Sequence, residues 1–355
     1  MYSAIQDYVL QHLPFRKKTS QSGWISFDAP CCVYRGESAD TRSRGGIKTA
    51  PEGGVSYHCF NCSYTASYQP GRSLSYKFRR LLKWLGTDDL EIQRLAIEAT
   101  RYRSLSDPSA LAVQEENTAI TFESRELPEQ SRDIVELATH YTLADYKHIP
   151  EEYHSVVKYI MDDRKIDTSK YNFRWTPEVA YNLHKRVIIP FYYQGNIVGY
   201  TARAVIDDVK PKYRSSHPAD FVFNLDRQTA DKKFVIVCEG PFDAMSIDGV
   251  AILTNEVSKQ QAELIENLER EIIVVPDFDV KPHPKSGKKI WAGQRLVDQA
   301  LELGWSVSFP VWRETCKDIN EAVVKYGQLF VLKSILDACE TSRIKIELLK
   351  RGVVH

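Results

Sequence analysis

The chain has 355 residues, 43% of them hydrophobic, so it is long enough for two or three domains with packed cores. Its 47 basic and 47 acidic side chains give a formal net charge of zero, which excludes a uniformly basic nucleic-acid-binding protein. The sequence contains no apolar run of the roughly 18 residues that a membrane span needs, and its N-terminus lacks the pattern of a secretory signal.

Four of the seven cysteines lie early in the chain, as Cys31-Cys32 and as the pair Cys59 and Cys62. So few cysteines in a chain of this length favour a reducing compartment over a disulfide scaffold. The two-residue gap between Cys59 and Cys62 is typical of structural zinc, which takes four nitrogen or sulfur ligands in a tetrahedron. We therefore predict Cys31, Cys59 and Cys62 as zinc ligands, with Cys32 or His58 as the fourth. The alternative is a set of reduced, buried thiols.

The segments after the cysteines alternate between helical and polar patterns. Apolar residues at helical spacing predict a helix over 76–85, ended by Gly86, and a second helix that starts from a cap at Thr87. Residues 104–130 are mostly polar and are interpreted as a linker, and 131–185 is predicted to be mainly helical.

Strand patterns begin at residue 186. A turn at Gln194-Gly195-Asn196 between two apolar segments predicts a hairpin. Beyond it, continuous apolar strands alternate with helices, which indicates a parallel α/β sheet. The predicted strands of that sheet are Phe234–Cys238, Gly249–Leu253, Ile272–Val275 and Trp305–Val311, and the predicted helices cover 260–267 and 291–303.

Acidic residues follow two of these buried strands directly. Glu239 comes after the first strand, and Asp277 and Asp279 come after Ile272–Val275. Active sites of open parallel sheets lie at the carboxyl ends of the strands, and alternate residues of an extended segment share a face. Three neighbouring carboxylates need a hard divalent cation to offset their repulsion. We therefore expect Mg²⁺ or Mn²⁺ here, in a site suited to phosphoryl chemistry.

The order of these motifs resembles the Toprim family, which includes primases, topoisomerases of types IA and II, and some nucleases and repair proteins. Glu239-Gly240-Pro241-Phe242-Asp243-Ala244, followed by Asp277-Phe278-Asp279, matches its Glu-Gly-x-x-Asp-Ala and Asp-x-Asp pattern. The resemblance implies that Glu239 is the catalytic acid or base and that Asp277 and Asp279 hold the metal, with Glu239 itself as a further candidate ligand. Asp243 has the alternative role of a structural capping residue.

Two later segments extend this resemblance. The Ala-Gly that commonly follows Asp-x-Asp is delayed here to Ala292-Gly293 by a basic insert, 280–291, in which Lys281 is a candidate nucleotide or template contact. The alternative is a solvated loop. Lys317-Asp318-Ile319-Asn320-Glu321 resembles a stretch found in primases after the Toprim core. Asp318 is therefore a candidate for the metal site, with a helix N-cap as the alternative.

The hairpin distinguishes primases from other Toprim enzymes. Arg186-Val-Ile-Ile-Pro-Phe, the strand that ends at Arg203, and Pro211-Lys212-Tyr213-Arg214-Ser215 resemble the N-terminal half of a primase polymerase domain. The resemblance implies that Arg203, Lys212 and Tyr213 contact nucleotide or template. Cationic side chains beside an acidic site offset phosphate charge.

The N-terminal cysteines fit the same family, since bacterial and phage primases carry a zinc ribbon there. Tyr34 occupies the position at which the family has its second zinc ligand. In that family the ribbon selects the initiation site on the template, so Arg42, Arg44 and Trp24 are candidate template-reading residues.

The resemblance implies an α/β protein in which a zinc ribbon and a linker precede an α+β subdomain, a parallel Toprim sheet and C-terminal helices. The predicted domains are a zinc-binding domain at 1–103, a linker at 104–130, an N-terminal polymerase subdomain at 131–233, a Toprim core at 234–315 and C-terminal helices at 316–355.

The function implied is a DNA primase that makes RNA primers on single-stranded DNA from ribonucleoside triphosphates in the cytoplasm, most similar to bacteriophage primases. The sequence has no phosphate loop of the Gly-x-x-x-x-Gly-Lys type, so we expect a replicative helicase to act as a separate partner. The alternatives are a non-catalytic recombination mediator, which needs no residue like Glu239, and a Toprim nuclease or topoisomerase, for which the chain is short.

Overall fold

The structure of the protein is a computed structural model. It describes residues 4–35, 37–62, 64–70, 72, 74–106, 120–143, 149–229, 231–282, 287 and 289–354. Part of the predicted linker, 107–119, and Lys285 and Lys288 of the insert lie outside these residues. The chain divides into two compact units: unit 1 is Met1–Ile120 with Glu340–Gly352, and unit 2 is Thr121–Cys339 with Val353–His355. Within the described ranges, we find no helix that could span a membrane.

Unit 1 is built around a five-stranded antiparallel sheet whose strands follow chain order. In its fourth strand Val55, Tyr57 and Cys59 are buried, whereas Ser56 and His58 alternate with them on the more exposed face. The strands are β1 (Lys17–Thr19), β2 (Trp24–Phe27), β3 (Gly45–Thr49), β4 (Val55–Cys59) and β5 (Thr65–Tyr68), and the helices of its N-terminal segment are α1 (Ala4–Gln11), α2 (Cys31–Tyr34), α3 (Tyr76–Trp84) and α4 (Asp89–Ser106).

The helix α3 follows the pattern that its sequence predicts. Ser75 caps its N-terminus by accepting a hydrogen bond from the Phe78 amide at 3.3 Å. Phe78, Leu81 and Leu82 are fully buried in the core of unit 1. Burying such side chains contributes about 1.5–3 kcal/mol each. The positive φ of Gly86, 94°, then lets the chain turn away.

Unit 2 begins with helices and an antiparallel sheet in the order β10-β9-β8-β7-β6. The predicted hairpin is present: Gln194 and Gly195 both have positive φ, at 51° and 79°, as tight hairpin turns require. The elements are β6 (Arg132–Asp133), α5 (Ile134–Leu143), α6 (Glu151–Lys158) with a π turn (Tyr159–Asp163), β7 (Arg174–Trp175), a 3₁₀ turn (Ala180–Lys185), β8 (Arg186–Tyr193), β9 (Asn196–Ala204) and β10 (Tyr213–Ser216).

The second sheet of unit 2 has the order β12-β11-β13-β16-β17, and β12, β11, β13 and β16 are paired in parallel. The α/β class with a four-cysteine N-terminal module is thus as predicted. The elements are β11 (Phe234–Cys238), α7 (Pro241–Ile247), β12 (Val250–Ala251), α8 (Lys259–Glu266), β13 (Glu271–Val274), a ribbon of β14 (Val280–Pro282) and β15 (Lys289–Trp291), α9 (Gln294–Leu303), β16 (Ser306–Ser308), a 3₁₀ turn (Val311–Glu314), α10 (Ile319–Tyr326), α11 (Gln328–Asp337) and β17 (Cys339–Glu340). The last helix of the chain, α12 (Arg343–Val354), belongs mostly to unit 1.

Several predicted element boundaries are wrong. The strand predicted over Trp305–Val311 ends at Ser308, since Val311 already begins a 3₁₀ turn, and the strand predicted over Gly249–Leu253 is only Val250–Ala251. The helix predicted from Trp291 begins at Gln294, because Trp291 lies in the ribbon, where its buried ring stacks on Phe278. The helix predicted to start from Thr87, α4, is capped by Asp88 instead: Asp88 Oδ1 accepts the Glu91 amide hydrogen at 2.8 Å, whereas Thr87 is buried.

Candidate functional site

The carboxylates after β11 and β13 lie beside one another at the same edge of the sheet. The two strands pair in parallel from Phe234↔Glu271 to Val237↔Val274. This register brings Asp277 to Glu239, and the Asp277 amide donates a hydrogen bond to Glu239 Oε1 at 3.1 Å. Phe278, between the two aspartates, turns into the core and packs on aromatic rings. Asp277 and Asp279 consequently both line the cleft on the other side.

The cleft has a volume of about 420 Å³ and lies within unit 2. Glu239, Asp277, Asp279 and Asp318 all line it. Asp318 is also the N-cap of α10, where it accepts the Glu321 amide hydrogen at 2.8 Å. The backbone N–H of Phe278 donates to the Lys317 carbonyl at 2.6 Å, which fixes the start of α10 to the Asp-x-Asp segment.

Two of these carboxyl groups bind protons far more tightly than usual. Burial, followed by repulsion from Asp243, raises the pKa of Glu239 to about 7, although the Asp277 amide opposes this. Burial, followed by repulsion from Glu239, Asp318 and Asp279, raises the pKa of Asp277 to about 8. Such shifts are expected where several carboxylates are placed together to meet a cation.

Asp243 is buried, and its contacts are structural. Its Oδ1 accepts the Asn320 amide hydrogen at 2.9 Å, so it holds the first turn of α10 against α7. Gly240 leaves room for this carboxylate, since a Cβ there would lie 2.5 Å from Asp243 Oδ2. Asn320 in turn accepts from Arg164 Nη1 at 2.7 Å and donates to Ser246 Oγ at 2.8 Å. Asp243 is therefore a structural residue, but it is not the N-cap suggested by the sequence, because the N-cap of α7 is Gly240 and Asp243 is the third residue of the helix.

Cationic side chains line the same cleft as the carboxylates. Arg203 and Lys212 line it, and the Arg203 guanidinium carbon lies 4.6 Å from the centre of the Tyr213 ring. Burial and the neighbouring charges of Arg203, Lys317 and Arg164 lower the pKa of Lys212. The cationic wall of the cleft formed by Arg203 and Lys212 is suited to binding phosphate groups.

Sequence reasoning missed Arg164 and Lys317 as cleft residues. Arg164 follows the π turn, donates to the Tyr159 hydroxyl at 2.9 Å and lies 5.0 Å from the centre of the Phe242 ring. The residues around Arg164 in the sequence do not indicate a functional role, because Arg164 reaches the cleft only through the packing of a helical segment. Lys317 could have been predicted, because it lies next to Asp318 within the primase-like stretch of the sequence.

The loop that carries Lys212 is held by a buried arginine, Arg186. Its guanidinium donates to the carbonyl oxygens of Pro211 at 2.8 Å, Ala202 at 3.2 Å and Lys212 at 3.4 Å. Burial lowers its pKa. Arg186, the first residue of the primase-like hairpin motif, therefore positions the cationic wall.

The insert begins as an exposed ribbon directly after Asp279. Lys281 forms an ion pair with Asp279, and both side chains are substantially exposed. The base of the ribbon is fixed, because Trp291 Nε1 donates to the Asp277 carbonyl. Lys281 therefore lies next to the carboxylates.

The donor set of the cleft fits a hard divalent cation. It includes the carboxylate oxygens of Glu239, Asp277, Asp279 and Asp318, and oxygen ligands of this kind are what a hard cation prefers. Magnesium in proteins commonly keeps several waters and uses one or two carboxylates together with substrate phosphates. Among the described residues, the ligand atoms that all lie within 4.8 Å of one another are the thiols of unit 1, so the oxygen atoms of these four carboxylates are not gathered as tightly.

The four cysteines of unit 1 form a second candidate centre. Their sulfur atoms all lie within 4.8 Å of one another, and all four residues are buried. The Cys31–Cys62 and Cys32–Cys59 sulfur distances are 3.4 and 3.6 Å. Zn–S bonds of about 2.3 Å in a tetrahedron require sulfur atoms about 3.8 Å apart, so the cluster fits zinc.

Cys32 occupies the fourth position of this cluster. Residues 31–34 form one helical turn, α2, and the two adjacent thiols reach the same point from it. Asn61 Nδ2 lies 3.4 Å from Cys32 Sγ, and the Cys62 amide 3.5 Å from Cys59 Sγ. Hydrogen bonds from the Cys31 and Cys62 thiols lower the pKa of Cys59. His58 packs instead on the Phe60 ring, 4.3 Å away, on the other face of β4.

The candidate template-reading residues lie around this cluster. The Arg44 guanidinium donates to Asp40 Oδ1 at 2.9 Å and to the Asn61 side chain, so it braces the loop beside Cys32. The Arg42 amide also donates to Asp40. Trp24 packs edge-on against Phe60 and, with His58, lines a cavity of about 480 Å³ on the outer face of the sheet. Tyr34 stacks on Trp84 at 5.5 Å.

No protein-family model and no curated protein matches the sequence. Among solved structures, the chain is similar to the zinc-binding and RNA polymerase domains of Aquifex aeolicus primase, with 16% identity, 94% of this chain and 83% of that chain covered, and a TM-score of 0.42. It is also similar to the RNA polymerase domain of Mycobacterium tuberculosis primase DnaG, with 17% identity, 57% and 82% covered, and a TM-score of 0.42. A third is a DnaG primase catalytic domain bound to single-stranded DNA, with 15% identity, 61% and 81% covered, and a TM-score of 0.44.

The raised carboxyl pKa values predict an unusual dependence of stability on pH. The folded protein holds these protons more tightly than the unfolded chain does. Their contribution to the free energy of unfolding is therefore complete below about pH 4 and is lost as the pH rises through about 7 to 8. We expect the free energy of unfolding of the metal-free protein to fall by up to about 1.4 kcal/mol per pH unit for each titrating carboxyl, between about pH 4 and its folded pKa. Saturating Mg²⁺ should restore the loss, so its stabilising effect should grow from pH 5 to pH 9.

Thermal unfolding of unit 2 with and without Mg²⁺ across that range measures this effect. The double variant Glu239→Gln, Asp277→Asn is the matched control, since it removes both of these groups and should give a shallower profile, to which Asp243, whose pKa is also raised by burial, still contributes. A metal-free wild-type protein that became more stable between pH 5 and pH 8 would contradict the assignment.

Proposed function

We propose that the protein is a DNA primase, a template-directed RNA polymerase that joins ribonucleotides on single-stranded DNA. The observation that carries this proposal is a single cleft with carboxylates at the ends of two parallel strands and cationic side chains in the same lining. Carboxylates that accept a divalent cation, next to groups that accept phosphate, are what nucleotidyl transfer needs. The primase-like motifs of the sequence supply these same residues.

Glu239, Asp277 and Asp279 have separate roles in this proposal. Asp277 and Asp279 hold Mg²⁺ or Mn²⁺, with Asp318 nearby at the start of α10. A cation bound there stabilises negative charge on the attacking and leaving oxygens. Glu239 Oε1 is engaged by the Asp277 amide, which leaves Oε2 to take the proton of the attacking 3′ hydroxyl. Its pKa of about 7 suits a general base near neutral pH.

The cationic residues position the substrates in this proposal. Arg203 and Lys212 take the triphosphate or the template phosphates, together with Arg164 and Lys317, and Tyr213 supports Arg203 through its ring. Lys281, at the base of the ribbon, contacts the same phosphates. In unit 1, the cysteines hold zinc, and Trp24, Arg42 and Arg44 read the template. A replicative helicase acting in trans stays a prediction.

The test is a priming assay with single-stranded DNA, ribonucleotides and Mg²⁺. We expect short labelled RNA products that require all three components and disappear with EDTA. Products should also survive DNase and be degraded by alkali, since they are RNA. Binding of the DNA without any synthesis over a panel of template sequences would instead favour a mediator, and cleavage or relaxation of DNA would favour a nuclease or topoisomerase.

A further inference from the structure

Three rows of side chains cross the cleft face of the antiparallel sheet in unit 2. The register of β9 and β10 places Arg203 opposite Tyr213 and Thr201 opposite Ser215. His217 follows two residues after Ser215 and so continues the same face. All five side chains line the cleft that holds the carboxylates. Successive rows on one face of an antiparallel sheet are about 6.8 Å apart, so the strip is about 14 Å long.

The middle row is a pair of hydroxyl groups. Thr201 Oγ1 and Ser215 Oγ lie 2.7 Å apart and hydrogen-bond to each other. A hydroxyl has one donor and two acceptor positions, so the pair keeps hydrogen-bonding capacity toward the cleft after this contact. It lies directly next to the Arg203 row, where phosphate groups are expected.

The last row presents a hydrogen-bond acceptor with a fixed orientation. His217 Nδ1 lies 2.8 Å from the Pro218 carbonyl, and because a carbonyl only accepts, Nδ1 carries the proton. Burial lowers the pKa of His217, with a smaller contribution from the charge of Arg125, although the hydrogen bond to the Pro218 carbonyl opposes this, and the net lowering favours the neutral ring. Nε2 is then an acceptor. The ring also packs against Phe191, with the centres 5.3 Å apart.

The backbone of β9 is adapted to this histidine. A Cβ at Gly199 would lie 2.4 Å from the Ser216 carbonyl oxygen and 2.7 Å from His217 Cα. Glycine is therefore required for His217 to lie this close to β9. The primase-like motif does not include a histidine here, so the resemblance assigns no role to His217.

We propose that this strip binds the ribose of an incoming ribonucleotide, with the 2′ hydroxyl on the Thr201–Ser215 pair and the 3′ hydroxyl on His217 Nε2, so that the hydroxyl pair selects ribonucleotides over deoxyribonucleotides. The inference rests on the proposed function. Phosphates held by Arg203 and Lys212 place the sugar at the next row, which is where the hydroxyl pair lies. A template-directed enzyme must accept every base, so fixed polar groups on this face serve the sugar that all ribonucleotides share.

The test compares the binding of ATP and dATP by calorimetry, in Mg²⁺ and without DNA. The wild-type protein should bind ATP about tenfold more tightly than dATP, the value of one good hydrogen bond. Thr201→Val keeps the shape of the side chain and should bring the two affinities together by weakening ATP alone. Thr139→Val is the matched control, because the Thr139 hydroxyl is exposed on α5 and donates to its own helix at Val135.

His217 is tested by a pair of variants. His217→Phe should lose about tenfold in ATP affinity, whereas His217→Gln, whose amide oxygen accepts a hydrogen bond, should keep most of it. The inference is overturned if the wild-type protein binds ATP and dATP equally, or if Thr201→Val keeps the wild-type preference and His217→Phe keeps the wild-type affinity for ATP. Priming is measured in parallel: wild-type preference for ATP without RNA synthesis would refute the proposed function and leave the ribose site standing.

Discussion

Glu239→Gln and Asp277→Asn are each expected to reduce RNA synthesis by at least about 100-fold while the protein stays folded. A positioned acid or base alone contributes roughly 10²- to 10⁴-fold to a rate, and loss of a metal ligand removes charge stabilisation as well. Both substitutions keep the size of the side chain. Glu239→Gln also keeps an oxygen that can accept the Asp277 amide hydrogen, so the loop after β13 should hold its position.

The two variants should differ in how they fail. Asp277→Asn should weaken the binding of Mg²⁺, measured by calorimetry or with Mn²⁺ by electron paramagnetic resonance. Glu239→Gln should retain more of the metal affinity and lose the catalytic step. Both metal-free variants should match or exceed the wild-type unfolding temperature at pH 8, because each removes a buried, repelled carboxylate.

Asp162→Asn is the matched control for this experiment. Asp162 lies in the π turn near Arg164, and its side chain is exposed, so the same chemical change there should leave synthesis unaffected. If Glu239→Gln and Asp277→Asn both kept full synthesis at saturating Mg²⁺, the site assignment would be wrong and the reaction would take place elsewhere in the protein.

The position of the carboxylates could be predicted because it follows from local pattern. Phe234–Cys238 and the segment after Glu271 are continuous apolar strands, and residues directly after parallel strands meet at one edge of a sheet. The hairpin was equally visible, since Gln194 and Gly195 are suited to a tight turn between apolar strands. These are effects of neighbouring residues and of sheet geometry, which a sequence carries directly.

What the sequence could not show depends on packing between distant segments. Arg164 reaches the cleft through contacts with Asn320, which is 156 positions further along the chain. Trp291 reads as the first residue of a helix, but its ring is held by Phe278 and the Asp277 carbonyl, so it lies on a strand. The strip that contains Thr201, Ser215 and His217 depends on the pairing register of β9 and β10, and a shift of β10 by one residue would turn Ser215 and His217 away from the cleft.

The identity of the fourth zinc ligand could not be decided from the sequence for a related reason. Whether adjacent cysteines reach one ion depends on the backbone between them, and the single turn of α2 brings both thiols to the cluster. The alternation of β4 decides against His58: Cys59 lies on the buried face, so the preceding histidine lies on the opposite one. The choice between the candidates required the strand pairing as well as the spacing.

Removal of zinc is expected to unfold unit 1 and leave unit 2 folded. The four thiols join α2 to β4 and to the turn after it, segments separated by 27 or more positions. Structural zinc sites in small domains contribute roughly 10–16 kcal/mol of apparent binding free energy, much of it coupled to folding. Without the ion, four buried thiols remain close together, and deprotonated sulfurs repel one another.

The measurement combines zinc content with hydrogen exchange. The purified protein should contain about one zinc per chain, and Cys59→Ser and Cys32→Ser should each lose most of it. Amides of β3 and β4 should then exchange fast, while those of β11 and β13 stay protected, because the two parallel strands have their own core.

His58→Ala should keep both zinc and protection, and Cys339→Ser, outside the cluster, should behave like the wild-type protein. Full zinc content in Cys32→Ser would refute the four-cysteine site, and loss of zinc in His58→Ala would assign the fourth position to that imidazole instead.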